Sequence, residues 1–372
     1  MPPRASPLWL TAPSRFAGVR AGTARVCLAV AAVLLALSWT ALLSGGPPTV
    51  RHAASSRIDD EADVVLYENI VRGVAAGGNY YAVAADALRH GDYPLRPFIT
   101  FRLPTLAVIE AALPVWATVA LLYALVAGVC AAWAARLRAA FTRVPPSIIA
   151  MALLLAGLMA FVQSDLIAFH EIWAGLLIAL SLALRRGDRW VEAVAFAMMA
   201  MLIRETAALY VGLMAGLAML EGRRREALAW GGTIGVLAIV LALHAHAVSA
   251  VVHAADPVSP GWSGLLGYGF FVRTMAISTA LAIVPLGIAA PLVALALFGW
   301  ASWASATGLR VFVTLAAYAV LIALFARADT FYWGLMIAPT LLVGLAFVPD
   351  GLRDLVRVAA ARPRITVTRV VR

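Results

Sequence analysis

The sequence predicts an all-α fold, a polytopic membrane protein of about ten transmembrane helices with two interfacial helices in its first extracytoplasmic loop. Three observations predict it. Of the 372 residues, 63% are hydrophobic and 13% charged, with a mean hydropathy of +0.91; soluble domains carry about 45–50% and about 25%. The apolar residues come in runs, and crossing ~30 Å of hydrocarbon takes about 17–25 helical residues. The basic residues are 29 arginines without a lysine, lying in short stretches between those runs. That placement is a topology signal, and it argues against nucleic acid as the reason for the net charge of +10.

Taken in order, residues 1–25 carry Arg4, Arg15, Arg20 and Arg25 and no acid, as a cytoplasmic N-terminal segment does. The run Val26 to Leu43 reads as a retained first helix: it is long for a signal-peptide core, and Ser44-Gly45-Gly46-Pro47 is a poor cleavage site. Further spans are expected near 106–133, 147–162, 166–184, 190–203, 207–220, 228–251, 274–298, 310–326 and 331–348. Counted alternately with both termini inside, 20 arginines and six acids fall on the cytoplasmic side, against nine arginines and thirteen acids outside. The ambiguous stretch is 190–220, where two short helices breaking at Arg204-Glu205-Thr206 keep Arg223-Arg224-Arg225 inside. Residues 26–348 thus form the membrane domain, and 349–372 a basic tail suited to an anionic leaflet. Cys27 and Cys130 read as inert thiols rather than a disulfide framework.

Within the loop 44–105, Ser56 can cap a helix whose first turn holds Asp59, Asp60 and Glu61. Ile58, Ala62, Val65, Leu66, Ile70 and Val74 recur at helical spacing and suit an interfacial helix, ended by Gly77-Gly78-Asn79. A second helix runs from about Tyr80 to His90 and stops at Gly91; Tyr93 to Phe98 is extended because each proline disfavours helix before it.

Ionisable side chains at membrane depth are functional candidates, since each costs about 2.5–3.5 kcal/mol on insertion scales. On the outer side the topology gathers Asp165, His170, Glu171, Arg204, Glu205, His253, Asp256, Arg273, Arg327 and Asp329. Facing them is the loop with Asp59, Asp60, Glu61, Asp63, Arg96 and Arg102. Carboxylates suit general-base chemistry, and guanidinium groups bind phosphate through paired hydrogen bonds.

This layout resembles the GT-C superfamily of membrane glycosyltransferases. The resemblance rests on Asp59-Asp60-Glu61 directly after the first helix, on Asp165 between the third and fourth helices, and on the strings His170-Glu171-Ile172-Trp173-Ala174-Gly175 and Arg204-Glu205-Thr206. It covers about residues 26–220; a large C-terminal periplasmic domain and a phosphate-binding lysine are both missing. The resemblance implies a bacterial inner-membrane enzyme. It would transfer a sugar, with inversion, from a polyprenyl-phosphate donor to a cell-envelope glycan, lipid or protein acceptor. Asp60 is the preferred base, with Asp59, Glu61 and Asp165 as the other catalytic candidates. Arg204, Arg102, Arg96 and Arg273 are the candidate donor-phosphate ligands, and His170, Glu171, Glu205 and Tyr81 the supporting residues. A divalent cation, Mg or Mn, is a possible cofactor.

The same residues have plainer readings. Asp59 to Glu61 can simply stabilise a helix start, and Arg204–Glu205 can close a break. His170–Glu171 lacks the second histidine of a zinc motif. His244 and His246 read as caps at the outer end of their helix, and Tyr67, Tyr80, Tyr81 and Tyr93 as an interfacial belt. The rival functions are a transporter or lipid-linked-sugar flippase, an O-antigen-ligase or polymerase type of enzyme, and a non-catalytic assembly partner.

Overall fold

Prolines and small polar residues mark where the helices begin. Pro145 and Pro146 open the helix Val144–Gly157, Asn79 caps Tyr80–His90 by accepting from the amides of Tyr81 and Ala82, and Ser305 caps Ala306–Phe325 by accepting from Gly308 at 2.8 Å. In a computed structural model, residues 6–45 and 55–361 are described, with side chains for 6–45 and 64–361. The order is α1 (Ala21–Ser38), α2 (Ser55–Ala75), α3 (Tyr80–His90), α4 (Thr105–Ala112), α5 (Val115–Ala140), α6 (Val144–Gly157), α7 (His170–Leu184) and α8 (Val191–Ile203). It continues with α9 (Ala208–Leu220), α10 (Arg224–Ser249), α11 (Gly267–Ile277), α12 (Leu286–Ser302), α13 (Ala306–Phe325), α14 (Ala338–Leu341) and α15 (Val348–Ala359), joined in places by 3-10 turns. There is no strand among the described residues, only isolated bridges such as Arg96 with Val258.

Among the described residues, four helices are long and apolar enough to cross a membrane: Ala21–Leu42, Val115–Ala140, Arg224–Ser249 and Ala306–Phe325. Their outer faces expose Val26, Val115, Leu228 and Leu243, as a lipid-facing surface does. Shorter apolar helices fill the space between them. The innermost is α7, in which every residue from His170 to Ala183 is buried. Hydrophobic all round, it is a core helix clad by protein. At about 1.5 Å per residue it is too short to span alone.

Several expected single spans are broken. The run expected at 106–133 divides at Leu113, held extended by Pro114 behind it, into α4 and α5. The run at 274–298 divides into α11, the 3-10 turn Ala280–Ile283 and α12. The last run becomes a 3-10 stretch, Ala328–Met336, which meets Ala338–Ala359 at a 59° bend. Residues 190–220 do form two short helices, with Arg204 extended between them.

Close backbone approach locks the bundle where glycines face one another. A Cβ on Gly299 would lie 1.8 Å from the Gly344 carbonyl oxygen, and one on Gly175 would lie 2.3 Å from that of Leu335. The N-terminal segment and the C-terminal helix, separate in the sequence reading, are tied together. The amides of Leu8, Trp9 and Leu10 donate to the Asp350 carboxylate at 2.6–3.1 Å, and that of Ser14 to Asp354 at 3.0 Å.

The arginines of the α7–α8 and α9–α10 turns converge with the start of α13. Arg185 bonds Glu226 through two nitrogens at 2.8–2.9 Å and Glu221 at 3.2 Å, and Arg310 reaches Glu221 at 2.7–2.8 Å. This network defines an arginine-rich end of the bundle, in which Arg185 and Arg310 are each paired with a carboxylate. The candidate site lies towards the opposite end.

Candidate functional site

The site begins with the helix break. Arg204 ends α8 in an extended conformation, followed by the turn Glu205–Ala207 and then α9. A guanidinium deep in an apolar bundle must be turned inward to partners, and it is: Arg204 is 2% exposed. Its Nε lies 2.6 Å from the Glu171 carboxylate, which α7 supplies from its first turn, and its Nη1 bonds Glu205. The break also frees backbone carbonyls, and the Tyr318 hydroxyl on α13 donates to that of Thr206 at 3.0 Å.

From the first loop, just before α4, comes Arg102. Its Nη1 stands 4.0 Å from Glu205, its Nε donates to the Tyr67 hydroxyl of α2 at 3.2 Å, and its Nη2 to the Tyr332 hydroxyl at 3.5 Å. Its own carbonyl accepts from the Tyr80 hydroxyl at 2.7 Å. Two guanidinium groups and two carboxylates therefore meet beneath α2 and α3, and their formal charges cancel. The two arginines differ, however. Arg204 is held between two carboxylates, whereas Arg102 touches neutral hydroxyls and one carboxylate at arm's length. Arg102 keeps the less compensated charge.

Beside this cluster is a small pocket open on one side, with room for about one water, lined by Tyr67, Ile70, Tyr80, Leu106, Glu110 and His170 among others. His170 is 3% exposed and Glu110 9% exposed. Neither ring nitrogen of His170, nor Oε1 of Glu110, has a hydrogen-bond partner among the described residues. The His170 ring meets that of Tyr67 edge-on, with centroids 5.1 Å apart.

The sequence candidates thus divide. Arg102, Arg204, Glu171, Glu205 and His170 come together. Asp59, Asp60 and Glu61 sit in the first turns of α2, but their side chains lie outside the described residues. Asp165 is not brought to this cluster: it is exposed on the turn Ser164–Leu166, 3.2 Å from the Ser164 hydroxyl. Two of the candidate phosphate ligands also stand apart from the cluster, each engaged with a loop carbonyl. Arg96 donates to the Asp256 carbonyl at 3.0 Å, and Arg273 to that of Ser44 at 2.9 Å. Tyr81 supports a neighbouring contact, its hydroxyl 3.1 Å from His244 Nδ1. His244 is consequently no helix cap but a buried member of α10.

In the segment after α10, Asp256 accepts two hydrogen bonds from Arg89 at 2.8–2.9 Å and one from the His253 amide at 2.7 Å. The Arg89 guanidinium holds the Asp256 carboxyl well below the usual carboxylate range. This pairing fastens α3 to the segment after α10.

Glu110 and Tyr332 were not among the candidates. Glu110 had a signal, being the one acid inside the apolar run 106–133; Tyr332 had none, since only the fold brings residues 67, 102 and 332 together. Among the described residues no group of three or more His, Cys, Asp or Glu side chains could hold a metal ion, and Glu171 and Glu205 are already engaged by arginines. The residues described here do not fit a divalent cation. No protein family, curated protein or solved structure matches the chain.

Proposed function

We propose that the protein is an integral membrane glycosyltransferase of the GT-C type, taking a sugar from a polyprenyl-phosphate donor. In this reading ten membrane crossings place both termini in the cytoplasm, and the arginine-rich end faces inward by the positive-inside rule. The cluster of Arg102 and Arg204 then lies towards the outer face of a bacterial inner membrane. The observation that carries the reading is the meeting of Arg102, from the first loop, with Arg204, from a helix break, beneath the helix whose second turn carries Asp59-Asp60-Glu61.

The chemistry balances as an inverting displacement. A carboxylate at the start of α2, Asp60 by preference, takes the proton of the acceptor hydroxyl. That oxygen bonds to the anomeric carbon as the bond from that carbon to the phosphate oxygen breaks. Polyprenyl phosphate departs with the electron pair, and a guanidinium meets its charge. The geometry favours Arg102 for that contact, because its hydroxyl partners yield to a phosphate at small cost. Arg204, fixed between Glu171 and Glu205, serves as a positioning residue that keeps Glu205 beside Arg102.

The test is transfer of radiolabelled sugar from a polyprenyl-phosphate donor by the purified full chain in lipid. D60N and R102A should each lose most activity at unchanged expression. Full activity in both variants would remove the basis of the proposal.

One observation favours a second reading. Short helices broken around buried charges, as at α8–α9, also occur in secondary transporters. Solute flux into proteoliposomes without consumption of lipid-linked sugar would select the transporter.

A further inference from the structure

We propose that the joint between the start of α1 and α15 is a binding site for an anionic phospholipid. Buried Phe16, Ala24 and Leu355 form the seam, with Cys27, Leu28 and Val358 packed against them. At its rim, arginines are held by backbone carbonyls. Arg25 Nε donates to the Ala359 carbonyl at 3.0 Å, and Arg15 Nη2 to that of Trp303 at 3.1 Å. A carbonyl engages one of the five N–H donors of a guanidinium and brings no countercharge. Arg20 and Arg25 stand exposed. The sequence has no Asp or Glu before Asp59 and none after Asp354. The two acids of α15 are buried and already engaged, Asp350 by the amides of Leu8, Trp9 and Leu10, and Asp354 by Arg353 and the Ser14 amide. This rim therefore keeps a positive charge, whereas the Arg185 and Arg310 network carries its own carboxylates.

The neighbouring surface defines the partner. Beyond Arg25, α1 exposes Val26, Val30 and Val33, on a helix long and apolar enough to cross a membrane. On α15, Leu352 and Val356 are exposed while both acids are buried. Cations bordering exposed aliphatic side chains, where a helix enters hydrocarbon, complement an anionic head group above its acyl chains. Guanidinium groups also bind the phosphate of such a head group through paired hydrogen bonds. A free phosphate would meet the charge and leave Leu352 and Val356 in water; a lipid covers both. The inference rests on α1 entering a membrane and is independent of the proposed transferase.

The experiment is a lipid titration of the full chain in detergent, with bound lipid counted by native mass spectrometry. The probes are phosphatidylglycerol, phosphatidylcholine with the same acyl chains, and glycerophosphoglycerol, the anionic head group without chains. The wild type should prefer phosphatidylglycerol over phosphatidylcholine by roughly tenfold or more, since each arginine near such a surface is worth about fivefold in affinity. That preference should shrink as salt rises. R20A/R25Q should abolish it. So should R20E, which places an acid at the N-cap of α1, where a helix tolerates negative charge and the fold is retained. R224A/R225A removes the same charge from an exposed pair at the start of α10 and should leave the preference intact.

Equal uptake of the two lipids by the wild type would overturn the inference, since acyl contact then suffices. A preference that survives in R20E would overturn it too. So would an equal loss in R224A/R225A, which would reduce the effect to net charge. Displacement of the lipid by equimolar glycerophosphoglycerol would identify a site for a free anion instead of a lipid.

Discussion

At the scale of single residues, burial separates two arginines that look alike in the sequence. Removing Arg204 strands two carboxylates in a region that cannot hydrate them, and breaking a buried pair costs about 3–5 kcal/mol. R204A should therefore melt well below the wild type in detergent, on top of any loss of activity. R102A should lose less stability, because its partners are two tyrosine hydroxyls and a carboxylate at 4.0 Å, but it should cost about 10²–10³-fold in turnover, as the loss of one charge-stabilising donor does. Similar melting of the two variants would show that the pairing around Arg204 does not hold the break together. Asp256 gives a pH dependence with a definite sign. Its folded-state pKa is depressed by Arg89, so the stabilisation is present above the unfolded value near 3.9 and is lost as pH falls through the folded one. Hydrogen exchange of residues 251–258 should accelerate in acid for the wild type, and be fast and far less pH-dependent for D256N.

Elements are joined by contacts that tolerate little. Gly299 faces the Gly344 carbonyl, while Gly128 in α5 has nothing within 4 Å of a built Cβ. G299A should consequently force α12 away from residues 342–347 and lower the melting temperature. G128A should be neutral or stabilise by up to about 1 kcal/mol, since alanine is the better helix former. Equal effects at the two positions would contradict the close approach. The Asp350 carboxylate fastens three successive amides of the N-terminal segment to α15. D350A leaves those three donors, the Leu10 amide buried among them, without their carboxylate and should expose residues 6–14 to limited proteolysis. An unchanged digestion pattern would mean that other contacts suffice.

For the whole molecule, orientation decides whether the proposed chemistry is possible. With Cys27 and Cys130 replaced by serine, a single cysteine at position 60 should react with a membrane-impermeant maleimide from outside the cell, and one at position 223 only after permeabilisation. The reverse pattern would put the acids of α2 in the cytosol and end the transferase reading. Much of the architecture behind this prediction was legible in advance. The two helices of the first loop and the break at Arg204 were visible because prolines, glycines and charges within apolar runs act locally on the backbone. The site was legible only in part. His170, Glu171, Arg204 and Glu205 stood out as charges at membrane depth, yet Arg96 and Arg273 stood out equally and turn out to fasten loops.

By itself the sequence determined that this chain is helical and membrane-like, and where its apolar runs are interrupted, because hydrophobicity and helix-breaking act within a few residues of one another. Only the tertiary structure decided which charges meet: that Arg102 rests on Tyr67 and Tyr332, that Arg204 is spent on Glu171 and Glu205, and that Glu110 shares a pocket with His170. The reason is physical. In a low-dielectric interior a charge is defined by its nearest partner, and partners separated by as many as 342 positions in the chain are chosen by packing, which no local pattern encodes.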